Sequence, residues 1–469
     1  MSEYNLPGKL RSDLARAASA VRGAGSVRLI SHIDADGITA GSIASATLDR
    51  LGIPHILSFE KKISEETIAT VNGCGEDAVW ICDLGSGYLS EFKRSNIIVT
   101  DHHVPDPRFR RKQTFIDDFV DIFHVNPHTY GVDGSTDICG AGMTYLLAKE
   151  LDPMNADLAY LGVVGAVGDF QDGRGNGLVG MNRAVLADAI GNGDMLIETD
   201  VRFYGRGTRP LVQFLEYNSE PVIPGLSGNR AGCTEFFAGL GIPLAEKGRQ
   251  RAWADLNDRE RDSATEAILA RANPADADRI CGEVYLLPNF SSKSGLGDAK
   301  EFATVLNSCG RYDDAETGMR ICKGDMSALR DAERNRTDHR RNISSALSHI
   351  RDNHLIRERR FIQYFDSGPE IRETVVGIVA GMLLGSGDLR QELPLIAFAD
   401  SDDGVKVSAR TTRELVDRGL NLADIMKTAS EKVGGYGGGH SVAAGATIPT
   451  NRKDDFLDAV EELVGARLT

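Results

Sequence analysis

The chain has 469 residues, of which 41% are hydrophobic and 26% are charged, and its net charge is −15 at neutral pH. This length exceeds a single ordinary core, so we expect two or three domains in a folded, soluble protein. The acidity excludes a protein that binds nucleic acid through a uniformly basic surface. Contact with nucleic acid would need a local basic groove or bound cations.

The cysteines and the apolar runs indicate the compartment. Seven cysteines are scattered singly without a CxxC pair, which favours reduced thiols over a disulfide framework or a zinc site. No apolar run approaches the length of a membrane span, and the first residues lack the apolar stretch of a signal peptide. We therefore expect a cytoplasmic protein without a membrane partner.

The first 190 residues alternate between strand-like and helix-like segments. An amphipathic helix is predicted at 8–22, strands at 27–31, 53–59, 78–82, 97–100 and 121–125, and helices at 38–51, 139–151 and 158–167. Such alternation is typical of a doubly wound parallel sheet, which binds its ligands at the carboxyl ends of the strands. We predict an α/β catalytic domain over residues 1–190.

The remaining chain divides into three further regions. From 191 to 325 the alternation is lost, and helical pieces such as 249–271 predict a mostly helical insertion. Residues 326–360 predict a long connecting helix with nine arginines against five acidic residues between Arg330 and Arg360, suited to phosphate contacts or to a solvated face. Residues 361–469 predict a smaller α/β domain, with strands at 361–365, 393–400, 405–411 and 442–449 and helices at 373–384, 422–432 and 454–466.

Carboxylates and imidazoles follow four apolar segments of the first domain. The segments lead into His32-Ile33-Asp34-Ala35-Asp36, into Asp83, into Asp101-His102-His103 and into Asp169. The H-x-D-x-D spacing predicts that His32, Asp34 and Asp36 share one side of an extended loop. Such a set is costly to gather unless cations hold it, and Mn²⁺ or Mg²⁺ prefers these ligands. A lone Asp could cap a helix and a lone His could be a satisfied core residue, but together the four clusters predict a two-metal site.

The segments HIDADG, CDLG, TDHH and GAVGD resemble the four motifs of the DHH phosphoesterase superfamily, in the same order. The resemblance implies two divalent ions, with Mn²⁺ favoured and Mg²⁺ possible. The ligands it implies are His32 and Asp34 for one ion, Asp36, His102 and Asp169 for the other, and Asp83 between them. A water held by two such ions loses a proton near neutral pH and can attack phosphorus in line.

The same resemblance implies further roles at this site. His103 would contact the scissile phosphate as an electrostatic stabiliser or general acid, and Asp101 would orient the histidines. The segment 125–135 also fits the family pattern, with His128 as a substrate contact. The glycines of Gly140-Ala141-Gly142 would open a helix N-terminus to a phosphate, although close packing of the helix start is an equal alternative.

Two blocks of the last domain suit substrate binding. On a strand over 406–410, Lys406, Ser408 and Arg410 would share one face, which could grip a phosphate or be merely solvated. Five glycines between 434 and 439 predict a ligand loop rather than a linker, and its contacts would be Gly438, Gly439 and His440. These blocks resemble the DHHA1 domain of the same superfamily. The overall plan, with a stretch like 299–311, resembles the archaeal RecJ-like branch.

The resemblance implies a phosphodiesterase that acts as a single-strand-specific exonuclease, with 5′→3′ digestion of DNA favoured and 3′→5′ digestion of RNA open. It also implies a role in DNA replication or repair with the GINS complex and the replicative helicase as partners. A mainly structural replisome protein is one alternative, although all six proposed ligands are present. A small-substrate nanoRNase or oligonucleotide phosphatase is another, although the insertion and the arginine-rich helix count against it. Selectivity would come from a narrow cleft with few aromatic residues for stacking.

Overall fold

A computed structural model describes residues 6–109, 121–173, 175–218, 220–386 and 389–468. The chain forms two compact units, Met1–Arg336 and Thr337–Thr469. Among the described residues, no helix combines the length and the apolar character needed to cross a membrane.

The first unit is built around a five-stranded parallel sheet. Its strands are β1 (Val27–His32), β2 (His55–Glu60), β3 (Ala78–Cys82), β4 (Ile97–Thr100) and β5 (Ile122–Val125), in the order β2-β1-β3-β4-β5. The helices of this region are α1 (Gly8–Gly23), α2 (Ala35–Leu51), α3 (Glu65–Gly73), α4 (Gly140–Leu151), α5 (Ala159–Gly168) and α6 (Asn182–Gly191). The predicted α/β fold with a parallel sheet is confirmed.

Apolar side chains cover both faces of this sheet. On one face Leu29, Trp80 and Ile98 pack in a core with α1, α2, α4 and α5. On the other face Val79 and Ile81 belong to a smaller core. Strands buried on both faces read as continuous apolar runs, which is why β3 and β4 were predictable from the sequence. The chain leaves β1 for β2 on one side and returns to β3 on the other, and this switch of direction creates the crevice where doubly wound sheets bind ligands.

The region after α6 is largely helical with short strands. Its elements are β6 (Leu196–Val201), α7 (Leu211–Glu216), α8 (Arg230–Gly239), β7 (Ala245–Glu246), β8 (Arg249–Gln250), α9 (Asp258–Leu269), α10 (Ala277–Ile280), β9 (Cys281–Leu286), α11 (Ala299–Arg311) and α12 (Ala315–Cys322). β6 pairs with β9, and β7 with β8, both antiparallel.

The helix predicted at 249–271 is wrong over its first nine residues, because α9 begins only at Asp258. Asn257 and Glu260 form a capping box there, in which each side chain accepts the other's backbone N–H. Before it, Trp253 is buried and its indole donates to Asp200, which holds this stretch in a different conformation.

The arginine-rich helix is shorter than predicted. It is α13 (Leu329–Asp352), whereas the sequence predicted a helix through residue 360. His354 lies in the left-handed region with φ 48°, which ends helical geometry, and Arg357–Glu358 is already a strand. The predicted helix is therefore wrong over its last eight residues.

The second unit has a six-stranded mixed sheet. Its strands are β10 (Arg357–Glu358), β11 (Gln363–Asp366), β12 (Leu395–Ser401), β13 (Gly404–Arg410), β14 (Tyr436–Gly439) and β15 (Ala443–Ile448), in the order β10-β11-β12-β13-β15-β14. β11 and β12 are parallel, and the other pairs are antiparallel. The helices are α14 (Glu373–Gly385), α15 (Arg413–Asp417), α16 (Leu422–Lys432) and α17 (Lys453–Leu468).

The glycine run of this unit is not the loop that the sequence predicted. Residues 436–439 form β14, an edge strand whose backbone pairs with β15. The glycines permit close approach: a Cβ on Gly435 would lie 2.3 Å from the Thr447 carbonyl oxygen, and one on Gly437 would lie 2.8 Å from the Met426 carbonyl oxygen. Packing between α16 and β15 therefore accounts for part of the run.

Candidate metal centre

The carboxyl edge of the first sheet gathers the predicted ligands. β1 ends at His32, Asp83 follows β3, and Asp101 follows β4 on the next strand over. Asp169 caps the carboxyl end of α5. Residues from four separated segments thus meet at one edge, as the sequence predicted from the strand ends.

Asp83 lies at the middle of this group. Its Oδ2 is 3.4 Å from His32 Nδ1, and its Oδ1 is 3.3 Å from His102 Nε2 and 3.9 Å from His103 Nδ1. The two carboxylate oxygens therefore face different imidazoles, which is the arrangement that a carboxylate shared by two ions requires.

Two sets of potential ligands lie on either side of Asp83. In the first, His32 Nδ1 is 3.0 Å from Asp34 Oδ2. In the second, His102 Nε2 is 3.1 Å from Asp169 Oδ2 and 3.7 Å from Asp36 Oδ2. Within each set, including Asp83 in the first, the ligand atoms lie within 4.8 Å of one another. The structure brings together all six residues predicted as ligands, and their assignment to ions stays a prediction.

The predicted extended loop for the H-x-D-x-D segment is wrong. α2 begins at Ala35, so Asp34 is its N-cap and accepts a hydrogen bond from Gly37 N at 2.9 Å, while Asp36 lies in the first helical turn. Helical geometry therefore sends Asp34 toward His32 and Asp36 toward His102.

At the N-terminus of α4, where the sequence suggested either a phosphate contact or close packing at Gly140-Ala141-Gly142, two amides are occupied by a carboxylate of the protein. The amides of Gly140 and Ala141 donate to the two carboxylate oxygens of Asp36, at 2.7 and 2.9 Å. An anion at a helix N-terminus is stabilised by the free N–H groups and the helix dipole. Here that anion belongs to the protein, so α4 positions Asp36.

Glycines leave room for the ligands, and the sequence analysis missed this role. A Cβ on Gly140 would lie 2.5 Å from Asp83 Oδ1, and one on Gly165 would lie 2.5 Å from Asp36 Oδ1. A Cβ on Gly37 would lie 2.3 Å from the His32 carbonyl oxygen. A glycine close in sequence to a carboxylate motif was the available signal, but the contacts of Gly140 and Gly165 join segments far apart in sequence.

α11 also contributes to the site, a role that was not predicted although the stretch 299–311 was part of the family resemblance. Asn307 Oδ1 accepts a hydrogen bond from Ala35 N at 3.0 Å, at the start of α2. A Cβ on Gly310 would lie 1.7 Å from the Ile33 carbonyl oxygen, so only glycine fits against this loop. Burial lowers the pKa of Arg311, against the opposing charge of Asp34. One helix thus holds the His32–Asp34 segment in place.

Asp83 adopts an unusual backbone conformation. Its φ is 57°, in the left-handed region, which costs a non-glycine residue about 1 kcal/mol. Its amide donates to the Thr100 carbonyl oxygen at 2.8 Å, which fixes the turn after β3. Strained residues of this kind cluster at functional sites, where the surrounding structure holds them.

Three buried atoms of the cluster support a fit to divalent ions. In the part of the chain that the structure describes, His32 Nδ1, Asp83 Oδ1 and His102 Nε2 are buried without a hydrogen-bond partner. His102 Nδ1 lies 2.6 Å from the Gly134 carbonyl oxygen and therefore carries the proton, which leaves Nε2 with a lone pair toward the cluster. Unpartnered donor atoms that converge on one space are what a bound cation would satisfy.

The pKa shifts show how strongly the carboxylates interact. Burial, together with the negative charges of Asp83 and Asp169, raises the pKa of Asp36 well above its usual range. Burial raises the pKa of Asp169 even though His102 opposes it. Burial also disfavours ionised Asp83, but the neighbouring imidazoles of His102 and His32 outweigh burial and lower its pKa. The site gathers more negative charge than it balances, which suits two dications.

His103 and Asp101 form a pair beside the ligands. His103 Nδ1 lies 2.8 Å from Asp101 Oδ1, which also accepts the backbone N–H of His102 and of His103. Burial alone would lower the pKa of His103, but Asp101 outweighs it and raises the pKa to about 9. The His103 side chain is 55% exposed. Different partners therefore orient the two rings: Asp101 contacts the ring of His103, and the Gly134 carbonyl oxygen contacts the ring of His102.

The predicted substrate residues of β13 lie beside a helix. Ser408 is buried, and Lys406 and Arg410 are half-buried. A Cβ on Gly377 in α14 would lie 2.7 Å from Arg410 Nη2 and 3.0 Å from Ser408 Oγ, so glycine makes room for both side chains. Burial lowers the pKa of the Arg410 guanidinium. Their role in substrate binding stays a prediction.

The remaining predicted contacts lie in two places. Gly438 and Gly439 belong to β14, and His440 follows it with an exposed side chain. His128, in the first unit, is half-buried, and its amide donates to Asn126 Oδ1 at 3.0 Å. Its Nε2 would lie 3.0 Å from a Cβ on Gly134, whose carbonyl orients His102.

Two domain-family models and one curated relative match this chain. A model of the DHH-CID domain matches residues 203–279, and a model of the DHHA1 domain matches residues 360–466. The chain is 29% identical over 449 residues to an uncharacterized protein of Methanocaldococcus jannaschii, with 95% of this chain and 94% of that protein covered.

Solved structures show the same fold at low identity. RecJ from Thermus thermophilus in complex with Mn²⁺ matches with a TM-score of 0.58 and 16% identity over 99% of this chain and 55% of that one, so the chain spans about half of that RecJ. Its Mg²⁺ complex matches with a TM-score of 0.52, 16% identity and the same coverage. CDC45 from Entamoeba histolytica matches with a TM-score of 0.63 and 13% identity over 97% of this chain and 98% of that one. The chain therefore has a RecJ-like fold and contains two regions that match the models of the DHH-CID and DHHA1 domains.

Proposed function

We propose that this protein is a metal-dependent phosphodiesterase that removes nucleotides from one end of single-stranded nucleic acid. The observation that carries the proposal is the position of Asp83, whose two oxygens face His32 on one side and His102 on the other. A shared carboxylate between two ligand sets is the arrangement of two-metal hydrolases.

The residues around Asp83 would hold two ions, Mn²⁺ by preference or Mg²⁺. His32 and Asp34 would hold one, and Asp36, His102 and Asp169 the other. Ions bound there would supply a water nucleophile at neutral pH and stabilise charge on the phosphate oxygens. RecJ, which shares this fold, has been solved with either ion.

His103 is suited to the phosphate itself. Its pKa of about 9 keeps the ring protonated at neutral pH, and Asp101 occupies Nδ1. Nε2–H of this half-exposed ring is then the donor for a non-bridging phosphate oxygen, or for the sugar oxygen that leaves. Charge-assisted hydrogen bonds to developing negative charge lower the barrier in this way.

In this proposal residues 1–190 carry catalysis, residues 191–325 are an intermediate module, residues 326–360 are the connecting segment, and residues 361–469 bind substrate. Lys406, Ser408 and Arg410 would contact the phosphates of the strand, and Gly438, Gly439 and His440 would contact its end, with His128 as a further contact in the first unit. DNA digested 5′→3′ is the favoured reaction, with 3′→5′ digestion of RNA as the second possibility.

A second candidate is a replication factor in which binding of the GINS complex and the replicative helicase matters more than hydrolysis. The match to CDC45 with a TM-score of 0.63 is the observation that favours it. The complete ligand set at the sheet edge favours hydrolysis. A small-substrate nanoRNase remains the third candidate.

The test is incubation of 5′- or 3′-labelled single-stranded DNA, single-stranded RNA and duplex with the protein and Mn²⁺, read on a gel. We expect mononucleotides from single strands, none in EDTA, and none from Asp83→Asn. Asp417→Asn, an exposed aspartate of the second unit, is the matched control and should cleave normally. Intact single strands under every metal condition would refute the proposal and favour the structural role.

A further inference from the structure

Phe170 is an exposed aromatic residue that directly follows the proposed ligand Asp169. It is 80% exposed, which is the largest exposed fraction among the large hydrophobic residues that the structure describes. Its φ is 57°, in the left-handed region that bulky side chains rarely adopt. An exposed apolar ring and a strained backbone therefore occur at one residue, beside the metal centre.

The residues after Phe170 are buried and held by hydrogen bonds, whereas Phe170 itself is exposed. Gln171 is buried, and its Nε2 donates at 2.9 Å to the Gly134 carbonyl oxygen, the atom that also holds the ring of His102. Asn182 Nδ2 donates to Gln171 Oε1 at 2.7 Å. The segment after Phe170 is thus tied to the same loop that orients a proposed metal ligand.

Asp172 provides the second anchor. Its buried carboxylate lies 2.9 Å from Arg202 Nη2 and 3.4 Å from Lys300 Nζ, and Arg202 also donates to the Asp172 carbonyl. Buried ion pairs of this kind are strongly destabilising to break, so Asp172 is fixed. Phe170 lies between Asp169, which faces the cluster, and two residues held in the interior.

The left-handed turn at Phe170 is itself closed by hydrogen bonds. The Phe170 amide donates to the Val167 carbonyl at 3.1 Å, and the Gly173 amide donates to the Phe170 carbonyl at 2.9 Å. These hydrogen bonds fix the backbone from which the exposed ring projects. Residues held in strained backbone conformations cluster at ligand-binding and active sites.

A second segment of the cluster, the one that carries His102 and His103, has a similar arrangement. Val104 directly follows His103 and is 76% exposed. The two segments meet where His102 Nε2 lies 3.1 Å from Asp169 Oδ2. In these two of the four segments that form the metal centre, an exposed apolar side chain thus lies one residue after a polar residue of the cluster.

We propose that Phe170 is the stacking platform for a base of the strand bound at the metal centre. The inference rests on the proposed function, because it takes the ligand to be a nucleic acid strand. A flat apolar ring beside a phosphate-binding cluster matches a nucleotide, whose base adjoins its phosphate. Stacking accepts every base, as an enzyme that digests strands without sequence preference requires.

The experiment compares two probes of equal length and charge. One is a labelled 12-nucleotide oligothymidylate, with oligouridylate as its RNA counterpart. The other is a 12-unit abasic phosphodiester that keeps the backbone and lacks the bases. Binding is measured by fluorescence anisotropy with Ca²⁺ in place of Mn²⁺, for the wild type, Phe170→Ala, Phe170→Trp and Met154→Ala. Met154 is 79% exposed and serves as the matched apolar control.

We expect Phe170→Ala to weaken binding of the base-containing probe about tenfold and to leave binding of the abasic probe unchanged. Phe170→Trp should restore the affinity, and Met154→Ala should bind as the wild type does. With Mn²⁺, Phe170→Ala should raise KM on the same strand and change kcat little.

Several outcomes would overturn the stacking role. The role is refuted if Phe170→Ala binds both probes with the affinity of the wild type, or if it loses the same factor in affinity for both probes. It is also refuted if the wild type does not bind base-containing strands. Binding by the wild type without hydrolysis in Mn²⁺ would contradict only the proposed function, and the comparison of the two probes would still decide the role of Phe170. Thermal unfolding of each variant verifies that it is folded.

Discussion

Gly140→Ala should disable the metal centre through a single added methyl group. The new Cβ would lie 2.5 Å from Asp83 Oδ1 and 2.6 Å from Asp83 Cβ. Both contacts are about 1 Å short of ordinary van der Waals separation. Gly140 is the first residue of α4, and its amide also holds Asp36, so the carboxylate of Asp83 has to move. Ligand positions tolerate about 0.2 Å, and a misplacement of about 1 Å costs about 100-fold in rate.

We therefore expect Gly140→Ala to lower kcat about 100-fold on single-stranded oligonucleotide with Mn²⁺, and to weaken Mn²⁺ binding in calorimetric titration. Gly8→Ala is the matched control, because Gly8 is also the first residue of a helix and a Cβ there would meet nothing within 4 Å. The control should retain full activity. Activity of Gly140→Ala within twofold of the wild type would refute the reasoning about the position of Asp83.

Two further predictions concern residues around the ligands. Asp101→Asn should lower kcat about 10- to 100-fold while Mn²⁺ affinity is retained, because Asp101 holds His103 rather than an ion; an equal loss of Mn²⁺ affinity would contradict this role. Arg202→Met should lower the free energy of unfolding by about 3–5 kcal/mol, because it removes the nearer and more buried of the two cations that Asp172 faces and leaves only Lys300. Arg50→Met, at an exposed ion pair, should change the free energy of unfolding little, and chemical denaturation compares the two.

The sequence predicted those parts of the fold that local patterns determine. β3 and β4 are continuous apolar runs, and both were predicted with their observed bounds. The start of α2 was predicted three residues late, because the cap at Asp34 looked like a ligand in an extended loop. An aspartate that caps a helix and an aspartate that binds a metal ion look the same in a sequence, so the pattern does not separate the two roles.

The individual hydrogen bonds and packing contacts between distant segments could not be read from the sequence. Asp36 accepts from Gly140 and Ala141 at the start of α4, more than 100 positions away. The glycine run at 434–439 predicted a ligand loop, but the packing of β15 and α16 against it makes it a strand. The exposure of Phe170 was not predicted, because the residues that follow it, Gln171 and Asp172, are buried by partners elsewhere in the chain.

Crystallography with anomalous scattering from Mn²⁺ tests the central claim most directly. We predict two peaks about 3.5–4 Å apart on either side of Asp83, one beside His32 and Asp34 and the other beside His102. Asp83→Asn should lose at least one of these peaks. An absence of peaks at the carboxyl edge of the first sheet, or a single ion that does not contact Asp83, would contradict the account.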